Sequence, residues 1–331
     1  MRVKTINRIW LVLIFLFFNI ISTSGNSFGA FLDKGWGVRP VSMGGAFTSV
    51  ADDASAPLWN PAGICQSENH QLSFMYGKPY WGLDNVDLEY NYFSYLLPYS
   101  EFTVFGLSWT NFNSKNQYNE NTLNFSIAQK LYFPLLSSFR GETAEILTGI
   151  NLKRISHKYI LDEDTEDDPV FSNKNSRSEY DLDAGVIAHY PNGLSMGIFI
   201  GHMLQPNVGM KDVDKVPMDM HLGFSKVLGG KLLTALDVSY RDDVYNYHLG
   251  LEGDVVSNKM VMRTGANLRE ASIGFGYLYS LEGGLELSFD YAFIFPFKLE
   301  EKRGSHRVSL NMGFGERIKK DVIKDKGRFR L

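Results

Sequence analysis

Residues 285–293 read Leu-Glu-Leu-Ser-Phe-Asp-Tyr-Ala-Phe, and every second residue in this stretch is apolar or aromatic. The residues between them are small or polar. Because successive side chains of a β-strand point to opposite faces, this pattern predicts a strand with one apolar and one polar face. Its length of about ten residues is typical of a tilted strand that crosses a membrane.

The same alternation recurs from residue 70 to residue 314 and predicts fourteen strands. An even number places both ends of a barrel on one side, with short turns there and longer loops on the other side. Two connections depart from that rule, since 132–142 is long and 269–270 is short. The predicted strands are residues 70–78, 85–96, 101–111, 120–131, 143–155, 179–190, 194–203, 217–227, 231–241, 245–255, 259–268, 271–280, 284–294 and 304–314.

The N-terminus indicates the compartment. Residues 1–30 begin with three basic residues, continue with an apolar run from Ile9 to Phe18, and end in small polar residues. This layout is typical of a secretory signal peptide, and the apolar run is too short for a spanning helix. We expect cleavage between residues 23 and 31. Removal of residues 1–30 would leave 30 basic and 37 acidic residues, a net charge of −7.

Alternation alone also fits a secreted sandwich, whose apolar faces point inward. The number of strands, their aromatic faces and the signal peptide favour a membrane barrel instead. The predicted fold class is therefore all-β, a transmembrane antiparallel β-barrel of about fourteen strands.

Composition excludes several other functions. A single Cys rules out an intrachain disulfide and a Cys-based zinc site, and a pI near 6.0 gives no case for nucleic acid. The seven His lack paired-ligand spacing, and no motif of a nucleophile or a nucleotide-binding loop occurs. We predict no enzyme activity, no cofactor and no metal.

The segment 35–64, between the signal peptide and the first strand, is built of small residues and a turn. Two interpretations are open. It could be a short surface helix followed by a turn, or a small N-terminal plug inside the barrel, since side chains alone do not fill fourteen strands.

This segment also carries a resemblance to a known family, together with two stretches near the other end of the chain. The residues concerned are Arg39, Met43-Gly44-Gly45-Ala46-Phe47, Ala51-Asp52-Asp53-Ala54-Ser55-Ala56, Trp59-Asn60-Pro61-Ala62-Gly63, Phe289-Asp290-Tyr291-Ala292-Phe293 and Gly304-Ser305-His306-Arg307-Val308-Ser309-Leu310. In these motifs the chain resembles the FadL-like outer-membrane barrels, which include the long-chain fatty-acid transporters and the PorV/PorQ-like proteins.

The resemblance implies a fourteen-stranded barrel in the outer membrane of a Gram-negative-type bacterium, with an N-terminal hatch. Its partners would be outer-membrane lipid and either a hydrophobic small molecule or exported proteins. Two functions follow: passive passage of hydrophobic compounds, or a non-transporting PorV-like scaffold in protein export. The hatch residues that it implies are Arg39, Met43, Gly44, Gly45, Asp52, Asp53, Trp59, Asn60, Pro61 and Gly63.

Charged residues are predicted on the inner faces of the strands. Buried charge needs partners or water, so these residues could form a structural ladder of ion pairs or a substrate-selecting ring. Asp52 and Asp53 of the hatch could hold the basic ones. The predicted lumen charges are Lys153, Asp237, Arg241, Glu252, Arg263, Asp290 and Arg307.

The predicted organisation has four parts: a signal peptide at 1–30, a hatch at 31–69, the barrel at 70–314 and a basic periplasmic tail at 315–331. The tail has seven basic and three acidic residues. The loop 156–178 holds six carboxylates, and a solvated outer loop is favoured there over a Ca²⁺ site.

Overall fold

The computed structural model describes residues 30–31, 35–82, 87–115, 117–131, 138–139, 142–163, 165, 167–171, 174–256, 259–281, 284–298 and 304–318. The predicted signal peptide, except for residue 30, lies outside the described residues. So does the predicted tail beyond residue 318.

Fourteen antiparallel strands close into a single barrel, in which the first strand pairs with the last. This confirms the predicted fold class and strand count. The barrel strands are β1 His70–Lys78, β2 Leu88–Pro98, β3 Thr103–Ser114, β4 Tyr118–Leu131, β7 Glu145–Tyr159, β8 Ser176–His189, β9 Leu194–Gly201, β10 Asp219–Leu228, β11 Leu232–Arg241, β12 Val244–Val256, β13 Met260–Asn267, β14 Glu270–Ser280, β15 Glu286–Pro296 and β16 Ser305–Phe314.

The barrel has two different ends. We call the end with residues 70 and 314 the terminal end and the opposite one the loop end. At the terminal end the connections have at most five residues, apart from 132–144, which contains the hairpin β5 Ser138–Phe139 and β6 Glu142–Thr143. At the loop end 160–175 and 202–218 are long, whereas 115–117, 242–243 and 268–269 are tight. The expected contrast between long and short connections therefore holds only in part.

The strands on either side of the connection 160–175 extend further than predicted. β7 ends at residue 159 and β8 begins at 176, because their ladder continues to the pair Lys158 and Ser176. The loop predicted at 156–178 is therefore 160–175. Backbone pairing there continues beyond the last residues of the apolar alternation, from which the boundary was predicted.

The apolar face of the strands points outward. In β15 the side chain of Phe289 is 44% exposed while the neighbouring Asp290 is 5% exposed, and the same alternation runs along β8, β11, β12 and β14. A continuous outer belt of exposed apolar side chains is typical of a lipid-facing surface.

Residues 35–69, called the hatch below, lie inside the barrel and are almost entirely buried. They form α1 Val38–Ser42 and two 3₁₀ helices, η1 Ala56–Leu58 and η2 Pro61–Gln66. The α1 helix packs on β13 to β16, and η2 packs on β3, β4, β7 and β8, so the hatch spans the lumen. The alternative of a surface helix is therefore wrong.

No helix within the described residues has the length and apolar character needed to cross a membrane.

Candidate functional site in the barrel lumen

Glycines on the inner face of the wall let the hatch backbone come close. A Cβ added at Gly149 would collide with the backbone of Pro61, and one at Gly197 with the carbonyl of Thr48. The wall therefore has glycine at several of the points where the hatch comes closest to it. The inner-face glycines that a Cβ would force against the hatch are Gly149, Gly185, Gly197, Gly223, Gly250, Gly265 and Gly274.

Asn60 joins the hatch to two wall strands. Its Oδ1 caps η2 by accepting from the Ala62 amide at 3.2 Å. Its Nδ2 lies 2.9 Å from the carbonyl of Thr48, and 3.3 and 3.2 Å from those of Val186 in β8 and Ile198 in β9. A fully buried amide with partners on both groups stabilises a single placement of the turn.

The hatch segment after α1 is bound to the wall through its backbone amides. Gly44 and Gly45 have φ of 66° and 83°, which lets the chain reverse directly after the five-residue helix. Asp237 of β11 then accepts from the amides of Phe47 and Thr48 at 2.9 and 2.8 Å. A wall carboxylate thus accepts hydrogen bonds from two hatch backbone N–H groups that belong to no helix or sheet.

A chain of ion pairs connects the hatch to the wall. Arg39 donates to both carboxylate oxygens of Glu252 at 2.7 and 2.8 Å and to Asp52 at 2.6 Å. Arg263 donates to Glu252 at 2.6 Å and to Asp290 at 2.5 Å. Glu252 is fully buried and bridges the two guanidiniums. This arrangement is the ladder of ion pairs rather than a ring around an open pore.

The expected partners of Asp52 and Asp53 were basic residues of the wall, and this expectation is wrong. Both carboxylates bind Arg39 of the hatch itself, at 2.6 and 3.3 Å. The reason is the position of α1, which places Arg39 between them and Glu252 of the wall. The hatch carboxylates therefore orient the arginine that contacts the wall.

The other implied hatch residues are also buried in the lumen. Trp59 donates its indole N–H to the carbonyl of Trp36 at 2.9 Å and packs edge-on against Phe47. Met43 lies against Gly250 and Gly265 of the wall. Pro61 starts η2, and Gly63 fits where a Cβ would meet the backbone of Ala51.

Three predicted lumen charges lie toward the loop end, away from the ion-pair chain. Arg241 donates to the carbonyl of Phe31 at 3.2 Å and faces Asp219 at 3.9 Å. The guanidinium of Arg307 stacks over the ring of Tyr90 at 4.9 Å. Lys153 belongs to a separate cluster described below.

The terminal-end cavity, of about 190 Å³, borders the ion-pair chain. Arg39, Asp52 and Asp53 line it from the hatch, and Arg263 and Asp290 line it from the wall. A cavity of this polarity and size has room for several waters.

The loop-end cavity, of about 70 Å³, lies on the other side of the hatch. Lys153, Asp183 and His202 line it, and Asp181 lies directly behind them. Lys153 binds Asp183 at 2.6 Å and Asp181 at 3.6 Å, and the His202 Nδ1 donates to Asp181 at 2.6 Å. Burial, together with the Lys153 ammonium, lowers the pKa of His202 to about 4, so the imidazole is neutral at pH 7.

Sequence reasoning missed two groups of residues that the structure places at this site. One is the set of inner-face glycines defined above, which could have been found as glycines at polar-face positions of the predicted strands. The other is the pair His202 and Asn124 at the loop-end cavity. No local pattern marks these two, since they become neighbours only through strand pairing.

Comparisons with solved structures agree on the fold. A Pseudomonas aeruginosa FadL homologue matches with a TM-score of 0.55 and 12% identity, over 85% of this chain and 97% of that one. The CymD monoaromatic hydrocarbon channel matches with a TM-score of 0.59 and 13% identity, over 86% of this chain and 97% of that one. The Ralstonia pickettii toluene transporter TbuX matches with a TM-score of 0.55 and 10% identity, over 86% of this chain and 100% of that one.

No protein-family model matches the chain, and neither does any curated protein. At these identities the likeness concerns the fold alone. The chain shares the barrel fold of these proteins, in agreement with the fold that its motifs at both ends predicted.

Proposed function

We propose that this chain is an integral outer-membrane barrel through which small hydrophobic molecules pass passively, with the hatch controlling the path. The observation that carries this proposal is the position of the hatch, which separates a cavity at the loop end from a cavity at the terminal end. Its support is the shared fold with a monoaromatic hydrocarbon channel and a toluene transporter.

The placement in an outer membrane rests on the belt of exposed apolar side chains and on the N-terminal signal. Closed barrels satisfy every backbone group between strands and can therefore lie in lipid. The signal peptide predicts export, and the outer membrane of a Gram-negative-type bacterium is where exported barrels of this fold reside.

The direct test is uptake of radiolabelled toluene by cells that lack other hydrocarbon channels. We expect the mature chain to raise the initial uptake rate severalfold over cells with an empty vector. Because the passage is passive, an uncoupler should leave that rate unchanged. No increase, with the barrel present in the outer membrane, would contradict the proposal.

Deletion of residues 35–64 tests the role of the hatch. If the hatch closes the path, the deletion should sensitise cells to bulky antibiotics while the barrel still assembles and remains heat-modifiable on gels. Unchanged sensitivity in an assembled barrel would show that the hatch does not close it.

One observation favours the alternative of a non-transporting scaffold in protein export. The hatch backbone packs so tightly on wall glycines that no Cβ fits between them, which is expected of a sealed barrel. Under this alternative toluene uptake stays at the background rate and exported proteins co-purify with the barrel.

A further inference from the structure

The loop-end cavity has an apolar and a polar side. Phe31, Trp36, Leu58 and Phe199 provide the apolar surface. The polar surface consists of Thr110, Glu120, Thr122, Asn124, Lys153, Asp183 and His202. Such a lining fits a molecule with an apolar body and one polar head group.

The charges beside this cavity do not cancel. Lys153 is one ammonium between two carboxylates, Asp181 and Asp183, and the nearby His202 is neutral at pH 7. The cluster therefore carries one net negative charge, and all four side chains are at least nine-tenths buried. Arg241 faces Asp219, so that pair adds no net charge. A buried excess of negative charge favours a cation or a hydrogen-bond donor and repels an anion.

Asn124 lines the same cavity and carries a buried acceptor without a partner in the described part of the chain. Its side chain is fully buried, and its Nδ2 donates to the Ser108 hydroxyl at 3.1 Å. Its Oδ1 has no hydrogen-bond partner among the described residues. A buried acceptor without a partner costs on the order of 1–3 kcal/mol, and a ligand that donates to it removes that penalty.

The amine of Lys153 does not offset this preference for donors. Its Nζ is already bound to Asp183 and close to Asp181, so it has little capacity left for a ligand carboxylate. Glu120, the other charged group of the lining, accepts from the amide of Phe31 at 3.0 Å and from the hydroxyl of Tyr118 at 2.8 Å.

Size decides which part of a ligand the cavity holds. Its volume of about 70 Å³ is roughly half of the ~150 Å³ that holds a benzene ring. A head group therefore fits inside the cavity, while a larger apolar body would lie along the apolar lining residues.

We infer that the loop-end cavity binds the ammonium or hydroxyl head group of a small apolar molecule and rejects a carboxylate head group. This inference rests on the proposed passage of hydrophobic molecules and narrows their chemical class. It makes Asn124 and Asp183 residues that determine specificity, and it argues against fatty-acid anions as the preferred ligand.

The test compares three probes of one size that differ only in the head group: benzylamine, benzyl alcohol and benzoate. Their binding to the mature full-length barrel in detergent is measured by isothermal titration calorimetry at pH 7. We expect benzylamine and benzyl alcohol each to bind at least fivefold more tightly than benzoate. Equal or tighter binding of benzoate, or no binding of any probe, would overturn the inference.

A matched pair of variants assigns the preference to the cavity. Asn124→Leu removes the acceptor and should weaken benzyl alcohol at least fivefold while benzoate changes little. Asn91→Leu makes the same change at a β2 position whose side chain contacts Asn111 outside this cavity, and should have no effect. An unchanged affinity for benzyl alcohol in Asn124→Leu would also overturn the inference.

The toluene uptake experiment is independent of this result. If toluene uptake succeeds and the head-group preference fails, the proposed function stands and the ligand class is wrong. If toluene uptake fails while the preference is found, the cavity is a binding site in a barrel that does not transport.

Discussion

Glu252 is a wall residue that binds the hatch through Arg39. It is fully buried and accepts from both Arg39 and Arg263, whereas Asp53 is 30% exposed and has one longer contact with Arg39. Removal of one partner from a buried ion pair leaves an uncompensated charge, whereas removal of a partly exposed partner leaves a charge that water can solvate.

We therefore predict that Glu252→Gln loosens the hatch far more than Asp53→Ala. The expected loss of hatch stability is about 3 kcal/mol for Glu252→Gln and about 1 kcal/mol or less for Asp53→Ala. Protease sensitivity of the hatch and entry of bulky antibiotics measure the difference, and heat modifiability confirms an intact barrel. A larger effect of Asp53→Ala would mean that the anchoring contact is wrongly assigned.

At the scale of elements, the fit between hatch and wall depends on glycines whose absent side chains leave room for backbone. Gly197 of β9 faces the carbonyl of Thr48, a backbone atom that cannot rotate away. A Cβ at Gly253 of β12 would have the Leu232 side chain at 3.8 Å as its nearest neighbour, which is ordinary contact.

Gly197→Ala should consequently destabilise the hatch by about 1–3 kcal/mol, the usual cost of overpacking. Gly253→Ala is the matched control and should leave it unchanged. Hydrogen exchange of residues 43–50, followed by mass spectrometry, measures both. Equal exchange in the two variants would show that the close approach at Gly197 does not matter.

The connection 202–218 is a second element whose stability can be predicted. His202 begins it, and its pKa of about 4 lies below the ordinary value of 6.5 because the imidazole is buried near Lys153. The unfolded connection binds a proton more readily than the folded one between these two values, so its stability falls as the pH drops through that window.

Acidification from pH 7 to pH 5 should cost this connection about 2 kcal/mol. Hydrogen exchange of residues 202–216 should accelerate over this range, and His202→Gln should remove most of the dependence. The same acceleration in that variant would assign the effect to another group, such as Asp181 or Asp183.

On the scale of the whole molecule, orientation follows from the even strand count. Both chain ends of the barrel lie at the terminal end, and the longest acidic connection, 160–175, lies at the loop end. Export through the periplasm leaves the termini of such a barrel on the periplasmic side and its long loops outside.

A peptide tag inserted near Asp167 should accordingly be labelled by antibody on intact cells. A tag after residue 318 should be labelled only in permeabilised cells. The reverse pattern would overturn the assigned orientation and leave the barrel fold untouched.

Much of the fold is local in origin, which is why it could be predicted. An apolar outer face repeats every second residue within each strand, so the alternation at 285–293 needs no knowledge of its neighbours. The loop boundaries were less accurate, because the ladder between β7 and β8 continues through polar residues such as Lys158. Alternation marks where a strand faces lipid and does not mark where pairing stops.

The candidate site was predictable only as a set of residues. Burial of Arg39 could be expected from the hatch motif, and burial of Glu252 and Arg263 from their positions on the inner strand faces. Their pairing could not be expected, since Arg39 and Glu252 are 213 residues apart in the chain. The same holds for Asn124 and His202 at the loop-end cavity, which share no local motif.

The sequence by itself thus determined a barrel of about fourteen strands and the division of each strand into an apolar and a polar face, and it left 35–64 open between a plug and a surface helix. These properties depend on side-chain periodicity and on small-residue composition. Only the tertiary structure decided which charges meet, which wall glycines receive the hatch and where the two cavities lie. The closure of β1 on β16 sets these distances, because it converts positions far apart in the chain into neighbours around one lumen.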